Sequence, residues 1–416
     1  MRDWPNQALS DLVEPDSPIT YGVVKPGDDP ADGALFIRGG DITEGRLNLN
    51  DLRRIGRDVS EQYHRTLLRG GELVVSLVGN PGQVAVVPET LAGANIARQV
   101  GLVRLARTVD TQFVKYFLLS PKGQNALGAH SLGSVQQVIN LRDLKTVVVP
   151  VPRLADQRAI AAVLGALDDK IEQNRRTARA LARLARAIFR AWFVDFEPVK
   201  AKAEGVSSFP SMPQEVFDAL PTRFVDSEIG PVPEGWEVSR LGDLLKLHYG
   251  KSLTKANRRP GAVPVYGSGG IIGSHDEPLV EGAGIIVGRK GSVGTLYWEA
   301  RGFFPIDTTF YVQTTATLGL HYVFELLESL GLDDMNTDAA VPGLNRENVC
   351  RLEVPVPPSE LSTAFEHYST ATRDLISHFS TEWWRLAEMR DYLLPKLLGG
   401  SVRVRNVIHQ HAVATL

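Results

Sequence analysis

Two stretches of the chain carry apolar residues at alternating gaps of three and four, the period of a helix that buries one stripe against a partner. In the first, the stripe is Ile160, Leu164, Leu167, Ile171, Asn174, Ala178, Leu181, Ala185, Ile188 and Trp192. Residues 153–196 contain no proline and mostly good helix formers, so the pattern predicts one long helix. In the second, Phe365, Tyr368, Thr372, Leu375, Phe379, Glu382, Leu386, Met389 and Leu393 repeat the spacing and predict a long helix over 358–398. A seam of that length needs a partner, because helical stability comes mostly from packing an apolar face. Each helix is the nearest partner for the other, and a returning second helix makes the pair antiparallel, with a domain expected at each end. Asn174 falls on the first seam, where a polar side chain fixes register at a cost in stability. Arg175, Arg179, Arg183, Arg186 and Arg190 line another face of that helix, either as a solvated stripe or as a surface for a partner or for phosphate.

The regions before the two helices repeat each other. Trp4, Leu9, Asp11 and Leu12 are echoed by Trp236, Leu241, Asp243 and Leu244, an offset of 232 residues. Asn140, Leu144, Val147, Pro150 and Pro152 match Asn345, Val349, Leu352, Pro355 and Pro357 at an offset of 205. Between these landmarks, Gly79-Asn80-Pro81-Gly82 resembles Gly288-Arg289-Lys290-Gly291, each following an apolar run that reads as a strand. The chain is therefore expected to be α+β. Two similar mixed α/β domains, 1–152 and 236–357, are separated by two long antiparallel helices, 153–196 and 358–398, that form an intramolecular coiled coil. Residues 197–235, rich in proline, read as a linker and 399–416 as a tail. The offset falls from 232 to 205, so loops differ on a common frame, which suits a duplicated reader of two different targets.

Composition narrows the function classes. Of the 416 residues 43% are hydrophobic and 22% charged, as in an ordinary soluble protein with more than one core. The single cysteine, Cys350, excludes an intramolecular disulfide and a cysteine-based metal cluster. No apolar run reaches membrane-spanning length and the N-terminus has no secretory pattern, so the expected location is the cytoplasm. A net charge of -3 excludes bulk coating of nucleic acid and leaves only local basic clusters as contacts.

The chain lacks a G-x-S-x-G elbow, an ATP phosphate loop and an H-E-x-x-H pair, and its only Pro-Pro, Pro357-Pro358, is not preceded by the Asn or Asp of an amino-methyltransferase. Asp168-Asp169-Lys170 matches half of a nuclease motif by letter but lies in the heptad helix, where carboxylates do not converge on a metal ion. No catalytic or metal-binding residue is expected. The candidates that remain are for binding. Arg53, Arg54 and Arg57 in the first domain, and Lys251, Lys255, Arg258 and Arg259 in the second, cluster before the glycine loop of each copy and suit guanine or phosphate contact. Arg289 and Lys290 lie in the second glycine loop, whose backbone either approaches a phosphate or simply turns a hairpin. Gln136 and Gln137 could meet adenine edges or belong to the following strand.

A resemblance rests on Pro150-x-Pro152 followed by Asp156-Gln157-Arg158 and the long helix, on FVDF, on FVDSEIGPVPEGWEVSRLGDL from Phe224 to Leu244, and on the run from Val265 to Gly273. Over essentially its whole length the chain resembles the specificity subunit of type I restriction-modification systems. The resemblance implies two target recognition domains, each reading one half of a bipartite site in double-stranded DNA. It implies methyltransferase subunits, two in number, that use S-adenosylmethionine and dock on the helices, with Arg175, Arg179, Arg183 and Arg186 as candidate contacts. It also implies restriction subunits that use ATP and magnesium. This chain itself is expected to hold no cofactor. A coiled-coil scaffold whose domains bind proteins is the alternative. The Glu-Gln usual in the family after Pro-x-Pro is Asp156-Gln157 in the first copy and Leu361-Ser362 in the second, so the second helix is expected to start differently.

Overall fold

In the computed structural model, residues 4–128, 138–315, 318–335 and 343–404 are described. They fall into two compact units, Met1–Gln173 with Trp383–Leu416, and Asn174–Glu382. Each unit contains one copy of a nine-strand frame and one end of both long helices.

In the first unit the strands of the frame, apart from a small hairpin at Ile42–Thr43 and Arg46–Leu47, are β1 (Asn6–Ala8), β2 (Thr20–Tyr21), β3 (Ala34–Ile37), β4 (Arg53–Ile55), β5 (Leu73–Ser76), β6 (Val84–Val86), β7 (Asn95–Ile96), β8 (Val100–Val103) and β9 (Val148–Pro150). They make a four-stranded sheet in the order β2-β8-β5-β6, a three-stranded sheet β4-β3-β7 and a pair β1-β9. The second unit repeats this with β10 (Glu237–Arg240), β11 (Leu245–Tyr249), β12 (Val263–Gly267), β13 (Gly270–His275), β14 (Gly284–Gly288), β15 (Leu296–Glu299), β16 (Phe304–Pro305), β17 (Thr309–Thr314) and β18 (Glu353–Val356). Its sheets run β11-β17-β14-β15, β13-β12-β16 and β10-β18, the same order with the same sense. Even the parallel strand pair recurs, with Phe36 beside Asn95 and Val265 beside Phe304. The inner strands β5 and β14 are wholly buried, which is why they read as continuous apolar runs rather than as alternating ones.

The hydrogen-bond register corrects the pairing of the glycine loops. Val75 lies opposite Val84 in the first copy, and Val287 lies opposite Leu296 in the second. The Gly82 N–H donates to the Ser76 carbonyl at 2.9 Å and the Gly294 N–H to the Gly288 carbonyl at 2.8 Å. Gly79-x-x-Gly82 therefore corresponds to Gly291-x-x-Gly294, three residues beyond the sequence match. All four glycines are left-handed, with φ of 89°, 87°, 83° and 73°, a conformation open to glycine at little cost. Arg289 and Lys290 take the places of Leu77 and Val78.

Four helices matter most. Helix α1 (Thr111–Leu119) packs on the four-stranded sheet of the first copy, and α3 (Leu320–Ser329) is its counterpart in the second. Helices α2 (Leu154–Phe189) and α4 (Ser359–Leu398) are the long pair, 36 and 40 residues. In the first unit Arg390 of α4 reaches Asp168 of α2 while Leu397 lies near Ile160, and in the second Asn174 donates to Glu382 at 2.9 Å while Phe189 meets Phe365, so in each unit the paired segments run antiparallel. The first seam is as expected: Ile160, Leu164, Ile171, Asn174, Ala185, Ile188 and Trp192 are buried. The second holds at Phe365, Thr372 and Leu393 and departs between them. Leu375 is 47% exposed, whereas Ser369 is fully buried, and the inward row runs through Phe365, Ser369, Thr372, Ile376 and Phe379.

Helix α2 closes in a π-turn, Arg190–Val194, and the chain leaves it at Phe196, whose φ is +53°. Left-handed backbone is strained for a bulky residue. Here the Phe196 ring is held edge-on to Trp236, centroids 5.3 Å apart, and beside Phe224. Residues 197–235, expected as a linker, carry short helices at Glu197–Ala203 and Gln214–Ala219, and place Val199, Met212, Phe217 and Leu220 in the core of the second unit. That core is aromatic, with Phe189, Trp192, Phe193, Tyr322 and Phe365 in mutual edge contact. In the first unit the long helices contribute aliphatic residues, Ile160, Leu164, Leu393 and Leu397, to a core whose aromatics, Phe113, Tyr116 and Phe117, come from α1.

The second helix does not start differently, since α4 begins at the residue equivalent to the start of α2. What changes is how it holds its domain. Gln157 donates to the Pro152 carbonyl and accepts the N–H of Asp110, the residue preceding α1. The Ser362 hydroxyl turns back on its own helix and donates to the Ser359 carbonyl at 3.0 Å. Instead Glu366, one turn further along α4, accepts the N–H groups of His321 and Tyr322 at the N-terminus of α3 and bonds His321 Nδ1 at 2.7 Å. Burial raises the Glu366 carboxyl, but the bonds from His321 and Tyr322 outweigh it and hold the group below the usual glutamate range.

Candidate nucleic-acid interface

The sequence candidates separate into groups once placed. In the first copy the three arginines around β4 hold their own neighbourhood. The Arg53 guanidinium donates to the Gly27 carbonyl, that of Arg54 to the Gly33 carbonyl at 2.9 Å, and Arg57 Nε to the Asp32 carbonyl at 3.0 Å. The Arg54 N–H also bonds Asp29. These side chains fasten an aspartate-bearing loop, which puts acid beside them. In the second copy, Arg258 donates to the Ile272 carbonyl at 2.7 Å, and Arg259 is paired with Asp276 at 2.6 Å and Glu277 at 3.0 Å. Lys251 and Lys255 are exposed. Gln136 and Gln137 lie outside the described residues.

Arg289 is different. Its backbone N–H and that of Lys290 both donate to the Thr308 carbonyl, at 2.9 and 3.1 Å, and fix the end of β14 against the turn before β17. One guanidinium nitrogen bonds the Asp307 carbonyl at 2.9 Å, and the guanidinium carbon lies 4.8 Å from the ring of Tyr249. Arg346, at the start of a short helix capped by Asn345, brings a second guanidinium to 5.3 Å from the same ring. Tyr249 is 48% exposed at the end of β11. The next residue must be glycine, since a Cβ at Gly250 would lie 2.1 Å from the Ile306 carbonyl oxygen. Two cations drawn to one exposed ring, with exposed Lys290 following Arg289, present several N–H donors toward solvent. Such an arrangement can accept a phosphate and stack a planar group.

Sequence reasoning missed Tyr249 and Arg346. A signal existed, because Tyr249-Gly250 repeats Tyr21-Gly22. Tyr21 pairs with Gly101 as Tyr249 pairs with Phe310, and Tyr21 is 47% exposed. Around Tyr21 the charges are rearranged. Exposed Arg98 stands where Asp307 does, and Leu77, Val78 and Leu141 replace Arg289, Lys290 and Arg346. The two copies thus offer the same aromatic landmark in different electrostatic settings.

The candidate arginines of α2, Arg175, Arg179, Arg183 and Arg186, lie in the second unit. Arg175 is half-buried, Arg179 and Arg183 are exposed, and Arg186 is bonded to Glu328 of α3. Asp168 of the Asp-Asp-Lys triplet accepts a hydrogen bond from the Tyr116 hydroxyl at 2.7 Å and pairs with Arg390. Among the described residues no three carboxylate, histidine or cysteine side chains gather to hold a metal ion, and no helix is long and apolar enough to cross a membrane.

The family of type I restriction modification DNA specificity domains matches residues 26–181 and 233–362. The specificity subunit of the EcoBI type I restriction enzyme of Escherichia coli is 35% identical over 186 residues, 44% of this chain and 39% of that protein. That of the HindI enzyme of Haemophilus influenzae is 23% identical over 97% of this chain and the whole of that one. A crystal structure of the type I restriction-modification S subunit of M. genitalium shares the fold, with a TM-score of 0.60 at 18% identity over 95% of this chain and 96% of the other. The two matched segments each take in most of one nine-strand frame and the start of the long helix after it, and the chain belongs to the type I restriction-modification specificity family.

Proposed function

We propose that this chain is the non-catalytic DNA-reading subunit of a type I restriction-modification complex, each nine-strand domain contacting one half of a bipartite double-stranded target. The observation that carries the reading is the repetition of one frame, strand for strand, with different side chains around its exposed tyrosine. A repeated frame supplies two equivalent docking geometries, and unlike surfaces give them unlike targets. In the second domain Arg289 and Arg346 beside Tyr249 contact the DNA backbone, with Lys290, Lys251 and Lys255 close in sequence to that site or its sheet. Arg53, Arg54, Arg57, Arg258 and Arg259 act mainly by shaping the loops that carry the contacts.

The long helices dock two methyltransferase subunits, with exposed Arg179 and Arg183 as contacts, and restriction subunits join that assembly. S-adenosylmethionine, ATP and magnesium belong to those partners. Footprinting of the assembled methyltransferase complex tests the reading. Protection of two short segments at a constant separation, weakening steeply as salt rises, is expected. A single continuous footprint, or binding by a complex lacking this chain with unchanged sequence preference, overturns it.

A further inference from the structure

Besides the contacts of Gln157 and Glu366, each domain meets its long helix through a buried charged joint, and the two joints carry opposite charge. Asp168 of α2 and Arg373 of α4 occupy the same helical position, at the offset of 205 that relates the starts of the two helices. In the first unit the helix presents the carboxylate. Asp168 accepts the Tyr116 hydroxyl of α1 at 2.7 Å, lies 4.0 Å from the ammonium of Lys115, and is gripped from α4 by Arg390 at 2.9 Å. Lys115 is only 8% exposed, and burial lowers its pKa, so it needs the nearby carboxylate to stay charged.

In the second unit the helix presents the cation. Arg373 bonds Glu325 of α3 at 2.5 Å, with side-chain exposures of 10% and 2%, and its guanidinium lies 4.1 Å from the ring of Phe324. Burial raises the Glu325 carboxyl and lowers the Arg373 guanidinium, so each depends on the other for its charge. Glu325 stands where Tyr116 does and Phe324 where Lys115 does, at the offset that relates β8 to β17. The position equivalent to Arg390 is Ala185, which is fully buried.

We propose that these joints assign each domain to its own helix: α2 accepts a domain that presents a hydroxyl and a cation, and α4 accepts one that presents a carboxylate. The second domain placed on α2 would set Glu325 against Asp168, two carboxylates in a closed contact. The first domain placed on α4 would set Lys115 against Arg373. The first arrangement leaves Arg390 as one cation between two carboxylates, and the second brings two cations together with no carboxylate of the joint between them. The order of the two domains along the chain is thereby fixed by packing, independently of whatever each domain binds. A domain grafted from a relative must match the polarity of the joint it enters. The proposal concerns domain placement and stands apart from the DNA reading.

The test uses the full chain with residues 4–152 replaced by a second copy of 236–357, made with and without Asp168→Arg and Arg390→Ala. That pair of substitutions recreates on α2 and its neighbour the residues found at Arg373 and Ala185. The unsubstituted chimera is expected to melt about 10 °C below the native chain in calorimetry, and the substituted one to recover most of the loss. In the native chain the same two substitutions should lower Tm by a comparable amount. A chimera as stable as the native chain without them overturns the proposal, and so does one that they do not rescue.

Discussion

The two domains share every strand pairing of the nine-strand frame and a set of loop-bracing arginines, and differ in the cations around the exposed tyrosine. Around β4 of the first domain the guanidiniums are tied to the carbonyls of one loop, with aspartates alongside. Around Tyr249 of the second, Arg289 and Arg346 face an exposed ring. Clusters that look equivalent in composition are thus a brace in one place and an open cationic surface in the other. Charge counted along a sequence does not distinguish these uses; the partners of each N–H do. The joints to the long helices show the same contrast, with one geometry realised by opposite charges.

The largest effect that would sharpen this comparison is at the joints. Arg373→Ala leaves Glu325 buried without its counter-ion and should cost about 3–5 kcal/mol in urea denaturation. Asp168→Asn should cost less, about 1.5–3 kcal/mol, because it removes the charge that Lys115 and the partly exposed Arg390 face while an amide oxygen can still accept from Tyr116. Equal losses would show that the two joints are not energetically distinct.

At the candidate interface, Arg289→Ala and Arg346→Ala should each reduce the salt dependence of DNA binding by the assembled complex by about one unit of slope. Arg53→Ala should leave that slope unchanged while lowering stability by about 1 kcal/mol, the scale of a lost hydrogen bond. A change in slope from Arg53→Ala that matches the one from Arg289→Ala would erase the distinction between brace and surface.

The smallest expected effect is a pH dependence. The folded-state pKa of Glu366 is depressed, so its contribution is full at neutral pH and is lost as pH falls through the folded pKa. The Tm deficit of Glu366→Gln should accordingly be largest at pH 7 and shrink below the ordinary glutamate range. In the first domain Gln157 holds the start of α1 through an amide that does not titrate, and Gln157→Ala should show a deficit with no such acid dependence. A Glu366→Gln deficit that persists undiminished in acid would break the contrast.

Much of the frame was legible before any coordinates, because duplicated strands keep their spacing. The offsets of 232 and 205 are the registers found in the β1-β9 and β10-β18 pairs. The glycine loops were mispaired by three residues, since G-x-x-G occurs twice in succession after β14, at Gly288 and at Gly291, and only hydrogen bonds tell which one turns the strand. The second seam failed at Leu375, where the inward row includes, besides the expected Thr372, the small polar Ser369 that a search for apolar letters passes over. Tyr249 and Arg346 are nearly one hundred residues apart in sequence, and only the closure of β11 against β17 brings their surroundings together. Arg289 was identified, though for a loop it does not turn.

The most direct test of the central claim, that each domain reads its own half of the target, is to replace residues 1–152 with the first domain of another member of the family whose joint polarity matches, and to map methylated sites across the genome of cells carrying the complex. One half of the bipartite sequence should change, while the other half and the separation between them stay as they were. Loss or change of both halves together would contradict the account.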